Sequence, residues 1–370
     1  MILLLLLAQV QAPAIVVQGE RLSQALRQCE AGQCTVRRDA QVSIASAETL
    51  FRDGEYLKAK LLLTRAIDRN RRHEATSPKL VSSLYEAYAT VSLHEGDESG
   101  FRRGTRQQVR ILRDHLPADD PAVIAKIMAL SDMWFKLRDY RQAKLSYQAA
   151  EQQAERAGQA EMAAVAAIRV AWLTATMGHR TAARAMLDEI AARPAARTGD
   201  LPDVIQIMRF RIDAASLSDE EMLRRSKSIG AGYRKTPLLV VNPAYDFTDL
   251  ATVNNAASRF QLVTPIPVLS SDVSSVQWVD VGFWIRPDGR TDEVEILRGM
   301  RAESWARSIV RQVEGRVYSS FAPAPGEKGA SGMYRVERVT LRQRYQVPVG
   351  SLIARRVPVG GVETLDLTAA

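Results

Sequence analysis

Two cysteines offer the first chemistry that this sequence could perform. Cys29 and Cys34 are the two cysteines of the 370-residue chain, and they bracket the short stretch "CEAGQC". Gly32 lets the backbone turn back between them, so in an exported protein a disulfide that closes this loop is the natural interpretation. The spacing differs from the C-x-x-C of redox enzymes, and two thiols without a nearby histidine are too few ligands for zinc. The pair predicts a structural bridge and no metal site.

Catalytic motifs are the second chemistry to consider. The four histidines, His73, His94, His115 and His179, stand in no H-E-x-x-H or similar pattern. The chain has no G-x-S-x-G nucleophile motif, and "PGEKGASG" lacks the Gly-Lys-Ser/Thr ending of a phosphate loop. We therefore expect no catalytic residue, no cofactor and no small-molecule substrate, and we expect that the chain is not an enzyme.

The charge balance favours anionic partners. The formal net charge is +8 and the sequence pI is about 9.6. Most basic residues are arginines spread along helical stretches beside Glu or Asp, which is also the ordinary pattern of a solvated helix face. No nucleic-acid-binding module is recognisable, so nucleic acid is not an expected partner.

The N-terminal stretch "MILLLLLAQVQAPAIVV" resembles a secretory signal peptide over residues 1–12. Leu3–Leu7 form an apolar core, and Val10–Ala12 offer small residues suited to cleavage, although no Lys or Arg precedes the core. The apolar run is shorter than the about 20 residues of a membrane span. Export is the expectation, and anchoring in the inner membrane by a truncated N-terminal helix is the alternative.

The middle of the chain, residues 39–229, repeats a pattern of small, large and aromatic residues. Three stretches carry the pattern: "ASAETLFRDGEYLKAKLLLTRAI", "LSDMWFKLRDYRQAKLSYQAA" and "RVAWLTATMGHRTAARAMLDEI". Small residues where two helices cross, such as Ala47, Ser131 and Ala171, let the backbones approach, and large residues at the next turns fill the groove. This pattern is similar to tetratricopeptide repeats, which stack as antiparallel helix pairs.

A looser helix pair is expected between the first two stretches, at residues 79–94 and 98–116, with Ala87 and Tyr88 as its small and large residues. Ser218 followed by Glu221 predicts a capping box for a final helix. Such arrays bind peptides or proteins on their concave face, and a spacer that merely holds the next domain is the alternative.

After residue 229 the helical repeat pattern ends, and Gly, Pro and alternating apolar residues replace it. Residues 230–275 form a junction with one apolar run, Leu238–Val241, as a possible first strand. In "WVDVGFWIRPDGRTDEVEIL", apolar residues alternate on both sides of Pro287-Asp288-Gly289, which predicts a strand, a tight turn and a second strand. A helix is expected at 302–317, with one apolar stripe at Trp305, Ile309, Val313 and Val317. The loop "FAPAPGEKGASG" and the alternating stretch "MYRVERVTLRQRYQV" follow.

The order strand, strand, helix, long strand, with these residues, resembles the C-terminal domain of TonB, the periplasmic energy transducer. The resemblance covers residues 276–347, and we take 276–350 as the domain and 351–370 as a tail. Two alternatives stay open for this tail: it is disordered, or it adds a strand to the sheet. The expected fold is therefore an all-α, tetratricopeptide-like solenoid, preceded by an N-terminal segment at 13–38, and followed by a small α+β domain with an antiparallel sheet and one helix. The residues that define the second fold are Pro287, Asp288, Gly289 and Trp305.

The resemblance implies a binding mode, since the TonB family takes an extended receptor segment as an added strand. The last strand is the expected edge, and its candidate binding residues are Tyr334, Arg335, Val336, Arg338, Thr340, Arg342 and Arg344. Protection of an exposed edge is the alternative role for these arginines. The implied partners are outer-membrane TonB-dependent receptors or other envelope proteins, with inner-membrane motor proteins as further candidates, and the implied location is the periplasm.

A different function fits the same domains. The helical array could be the recognition surface of a periplasmic scaffold, with a TonB-like domain that is structural or binds the cell wall and transduces no energy.

Overall fold

The computed structural model describes residues 19–214, 217–226, 229, 236–245, 276–299, 303–321, 332–347, 352 and 355–368. The leader expected at 1–12 lies outside these residues. The chain divides into two compact units, of which the first ends at Met208 and the second begins at Arg209. Within the described ranges, we find no helix with both the length and the apolar character to cross a bilayer.

Consecutive helices that each pack on the next in the chain build the first unit. Their bounds, with the two helices that follow, are α1 Gly19–Glu30, α2 Val36–Arg52, α3 Tyr56–Asn70, α4 Pro78–Glu95, α5 Glu98–His115, α6 Pro121–Lys136, α7 Tyr140–Arg156, α8 Ala160–Thr176, α9 Arg180–Ala192, α10 Leu201–Ala214 and α11 Asp219–Ser226. Short 3-10 helices lie at Arg71–His73 and Pro194–Arg197. The predicted cap of α11 forms, because the N–H of Glu221 donates to Ser218 Oγ at 3.3 Å.

Four equivalent turns set the repeat. Gly54, Gly96, Arg138 and Gly178 each follow a helix end with a positive φ, of 80°, 88°, 61° and 93° respectively. At each turn two N–H groups return to the preceding helix, as in a Schellman motif, and at the first the Gly54 N–H meets the carbonyl of Phe51 at 3.0 Å. Gly96 lies 42 residues after Gly54, Arg138 another 42 residues on, and Gly178 a further 40.

The helix pairs α2–α3, α4–α5, α6–α7 and α8–α9 are therefore four copies of one unit in a tetratricopeptide-like array. Its period exceeds the roughly 34 residues of a tetratricopeptide repeat. Small residues at one equivalent position are at most 4% exposed, and these residues are Ala47, Ala89, Ser131 and Ala171. Large or β-branched residues fill a second equivalent position, and they are Leu63, Thr105, Tyr147 and Leu187.

The pair α4–α5, expected as a loose copy, is a full member of the array. Its small residue at the crossing is Ala89, two positions after the expected Ala87. Phe101 occupies the position that Ala59 and Ala143 hold in the neighbouring copies, and this large side chain obscures the pattern in the sequence.

The N-terminal segment is helical, and the expected boundary at residue 39 falls inside α2. A disulfide joins Cys29 in the last turn of α1 to Cys34, just before the Thr35 N-cap of α2. Gly32 has a φ of 75°, so the bridge closes the turn of the hairpin that α1 and α2 form. Cys29 itself is buried with Ala25 and Val42 of the two helices.

The elements of the second unit that follow α11 are β1 Leu239–Val241, β2 Trp278–Ile285, β3 Thr291–Gly299, α12 Glu303–Glu314, β4 Val317–Tyr318, β5 Met333–Gln346 and β6 Arg355–Asp366. Four of the strands form an antiparallel sheet in the order β3-β2-β5-β6, and β1 and β4 form a separate pair. The apolar run at 238–241 thus supplies a strand. The core joins Val279 and Phe283 of β2 to Ile309 and Val313 of α12.

The hairpin turn at Pro287-Asp288-Gly289 requires a glycine at position 289. Gly289 has a φ of 85°, and a Cβ on it would lie 2.0 Å from the carbonyl oxygen of Tyr318.

Two of the four stripe residues expected on the helix, Ile309 and Val313, enter the core. Val317 instead begins β4, and the side chain of Trp305 lies outside the part of the chain that the structure describes.

Candidate functional site

The strand expected to bind a receptor segment is an inner strand. On one side β5 pairs with β2, from Ile285 opposite Met333 to Trp278 opposite Thr340. On the other side it pairs with β6, from Glu337 opposite Asp366 to Gln346 opposite Arg355. The expectation of a free edge is wrong, because residues from the presumed tail supply a further strand. Of the two alternatives for residues 351–370, the structure shows the added strand.

The most buried of the candidate binding residues is Arg338, which belongs to the core. Its side chain is fully buried and donates from Nε and Nη2 to Asp280 of β2, with Nη2 2.9 Å from Oδ2. The guanidinium carbon lies 3.6 Å from the centre of the Trp278 ring, a cation–π contact. Arg298 of β3 adds a third donor to Asp280 at 2.7 Å. Arg338 therefore organises the sheet and cannot meet a partner.

Two other arginines of β5 tie it to β6. Arg335 Nη1 lies 2.8 Å from Asp366 Oδ2, and Arg342 Nε lies 3.8 Å from Glu363 Oε1. Arg335 and Arg342 therefore bind the neighbouring strand β6, and they do not protect an exposed edge of β5.

Three further expected binding residues of β5, Thr340, Tyr334 and Val336, are also buried or engaged within the sheet. Thr340 is buried, and the ring of Tyr334 packs against Trp284 with centroids 5.2 Å apart. The amide of Val336 donates to Thr368 Oγ1 at 2.9 Å, and the side chain of Arg344 lies outside the described residues.

A second buried ion pair lies beneath α12. Arg316 Nη1 donates to Glu337 Oε2 at 2.8 Å and Arg316 Nε to Gln312 Oε1 at 3.1 Å. Burial, aided by the nearby Glu337 carboxylate, raises the pKa of Tyr318 to about 12. The sequence reasoning missed both ion pairs, although an aspartate between Val279 and Val281 in an alternating strand is a signal for a buried charge.

The sheet offers an outer edge at β6. Leu367 N–H donates to the carbonyl of Val336 at 2.8 Å, in register with the β5–β6 ladder. Because alternate amides of an antiparallel strand face opposite sides, the N–H groups of Val362 and Thr364 point away from β5. The other outer strand, β3, is less regular, since Glu293 has a φ of 49° and Thr291 Oγ1 donates to the carbonyl of Val313.

In the array, ion pairs connect alternate helices and so join successive repeats. Lys126 of α6 pairs with Glu86 of α4, and Arg169 of α8 lies 3.3 Å from Asp132 of α6. Tyr147 donates its hydroxyl to the same Asp132 carboxylate. These contacts link each repeat to the next in addition to the apolar packing between them. Across the described ranges, no three His, Cys, Asp or Glu side chains lie together as a metal site would require.

No family model matches the chain, and no curated protein matches it. Among solved structures, a kinesin light chain of Podosopora anserina with nearly identical TPR-like repeats is 13% identical, with a TM-score of 0.42 over 52% of this chain and 93% of that one. BtubC from P. vanneervenii is 15% identical, with a TM-score of 0.43 over 68% and 92%. The apo form of RapI is 10% identical, with a TM-score of 0.43 over 56% and 57%. Likenesses at this level assign no function.

Proposed function

We propose that this protein is a protein-binding scaffold of the bacterial cell envelope. In this proposal the helical array recognises a protein partner, and the sheet unit is a TonB-like attachment domain. The observation that carries the proposal is the stack of four equivalent helix pairs. Each pair buries its apolar face against its neighbours, so their outer faces form one extended surface, the arrangement that repeat proteins use to bind partners.

The cross-repeat ion pairs favour binding over a simple spacer. Glu86–Lys126 and Asp132–Arg169 hold adjacent repeats in one arrangement before a partner arrives. A preformed surface lowers the ordering cost of association.

We propose that the scaffold lies in the periplasm. The Cys29–Cys34 bridge supports this location, because such bonds persist in oxidising compartments. The apolar leader of the sequence supports export as well.

Site-specific photo-crosslinking on the full chain in its own cells tests the proposal. The photoreactive residue is placed at Ala149 of α7 or Glu189 of α9, both exposed on the array, and at Glu295 of β3 as a matched position on the sheet. We expect the two array positions to capture the same protein, identified by mass spectrometry, and Glu295 to capture none of it. Capture confined to the sheet position would contradict the proposal.

A second candidate function is the engagement of outer-membrane receptor segments by strand addition, with or without energy transduction. The outward amides of Val362 and Thr364 favour it, because they offer donors along a regular strand edge. The added strand would then pair with β6, and β5 would keep its place inside the sheet.

A further inference from the structure

Helix α5 carries an arginine stripe, which we define as Arg102, Arg106 and Arg113. At 100° per residue these three positions lie within about 40° of one another around the helix, and they span about 16 Å along it. All three side chains are exposed. The stripe is therefore a straight, positively charged line on the surface of the array.

The charges of the stripe are not neutralised by the protein. The neighbouring Arg110 is compensated, since its guanidinium lies 2.7 Å from Glu74 and 3.2 Å from Asp114. In the described part of the chain, none of the three stripe arginines pairs with a carboxylate. Arg102 and Arg106 instead approach the ring of Trp134, with guanidinium carbons 5.8 and 5.2 Å from its centre.

The other end of the stripe opens into a depression of about 460 Å³. Arg113 and Arg156 line it together with Val123 and Ala157, so it combines two positive charges with an apolar wall. The Gln153 amide, which also lines it, donates to the carbonyl of Ala118 at 2.7 Å and fixes one side.

We propose that the arginine stripe, from Trp134 to this depression, is the docking surface for an acidic, extended segment of the protein partner. This inference rests on the proposed function and names the chemistry of the partner. An extended chain rises about 3.3 Å per residue, so five residues cover the stripe. Its alternate side chains lie about 6.6 Å apart on one face, close to the rise of about 6 Å between Arg102 and Arg106.

Charge and composition favour a protein over a nucleic acid. Trp and Arg are the side chains that contribute most at protein interfaces. Asp119 also lines the depression, so a phosphate backbone with a negative charge at every residue would meet a carboxylate there. A peptide can place carboxylates at the arginines and an apolar side chain against Val123 and Ala157.

The test is a titration of the full chain with a synthetic decapeptide that has glutamate at every second position. It uses fluorescence anisotropy at two salt concentrations, and a single-stranded oligonucleotide is titrated in parallel. The test variant is R102E/R106E. The control is R65E/R180E, which changes the net charge equally at exposed arginines of α3 and α9.

We expect the peptide to bind the wild-type chain and the control alike, more weakly at high salt, and to lose at least tenfold in affinity for R102E/R106E. An equal loss of peptide affinity in R102E/R106E and R65E/R180E would overturn the inference, because the affinity would then depend on net charge alone. Absence of peptide binding, or tighter binding of the oligonucleotide that R102E/R106E abolishes, would overturn it as well. If photo-crosslinking still captures a protein on α7 and α9, the inference fails while the proposed function stands.

Discussion

The backbone N–H of Leu367 lies 2.8 Å from the carbonyl oxygen of Val336. This bond extends the β5–β6 ladder beyond Asp366, so the C-terminal strand is a full member of the sheet. It also fixes which backbone N–H groups of β6 face β5 and which face away from the sheet. A partner that lengthens the sheet on this side must pair with β6 at Val362 and Thr364.

The outward amide of Thr364 gives a direct test of strand addition. Thr364→Pro removes a donor that faces away from β5, so the melting temperature should change little. Under the second candidate function, this variant should lose the binding of receptor-derived plug peptides that the wild-type chain shows. Glu363→Pro is the contrasting variant, because it removes a donor that faces β5 and also the Arg342 ion pair, and it should lower the melting temperature. Retained peptide affinity in Thr364→Pro, measured by calorimetry, would exclude this edge as the receptor site.

The buried Arg338–Asp280 pair should dominate the stability of the sheet. Arg338→Met leaves the Asp280 carboxylate buried with Arg298 as its remaining donor, and we expect a loss of about 3 kcal/mol in the free energy of unfolding. The double variant R338M/D280L removes both charges and should recover much of that loss. Urea unfolding followed by tryptophan fluorescence measures both, and a loss below about 1 kcal/mol for Arg338→Met would contradict the core role.

The turn at Gly178 tests the repeat geometry. Its φ is 93°, and a Cβ there would have no heavy atom within 4 Å, so the cost of Gly178→Ala comes from the backbone alone. We expect a loss of about 1–2 kcal/mol in thermal or urea unfolding. Arg180→Ala, on the helix that follows, is the control and should change stability by less than about 0.5 kcal/mol. Equal effects of the two changes would argue against a strained turn.

Local patterns in the sequence predicted much of the fold. The helix pairs followed from small and large residues at helix crossings, such as Ala47 and Leu63, because those positions leave a periodic trace. The hairpin followed from Pro287-Asp288-Gly289, because a proline with fixed φ followed by a glycine that accepts a positive φ is typical of a tight turn. Both signals are local, so neighbouring residues suffice to see them.

Non-local features were missed. For β6 the sequence left a disordered tail and an added strand as alternatives, since Pro358 and Gly360 weaken the strand signal and the pairing with β5 is non-local. Arg338 alternates with apolar residues and so resembled an exposed edge charge, because its partner Asp280 lies 58 positions away in sequence. The candidate surface on α5 was likewise invisible, since the stripe depends on which arginines find carboxylates in the folded chain.

Asp39 should make stability sensitive to acid. Burial alone would raise its pKa, but hydrogen bonds from Arg69, Asn70 and Ser43 outweigh burial and hold the pKa below its usual 3.8. A depressed folded pKa means that the stabilisation is present above pH 3.8 and is lost as the pH falls through the folded value. Asp39→Asn should therefore be less stable at neutral pH and lose less stability on acidification. Urea midpoints at pH 7 and pH 3 measure this, and parallel pH profiles would contradict it.

The Cys29–Cys34 bridge tests the proposed location. If the protein is exported, both thiols are oxidised in intact cells, and a maleimide reagent should label neither cysteine without prior reduction. After reduction, both should react. Labelling of both thiols in freshly opened cells without a reductant would place the chain in a reducing compartment and contradict the periplasmic proposal.

Hydrogen exchange on the full chain with its captured partner tests the central claim most directly. If the array is the recognition surface, the partner should slow amide exchange in α4–α7 and leave Val362–Asp366 of β6 unchanged. Slower exchange confined to Val362–Asp366, with the array helices unaffected, would contradict the account and make the sheet edge the site of recognition.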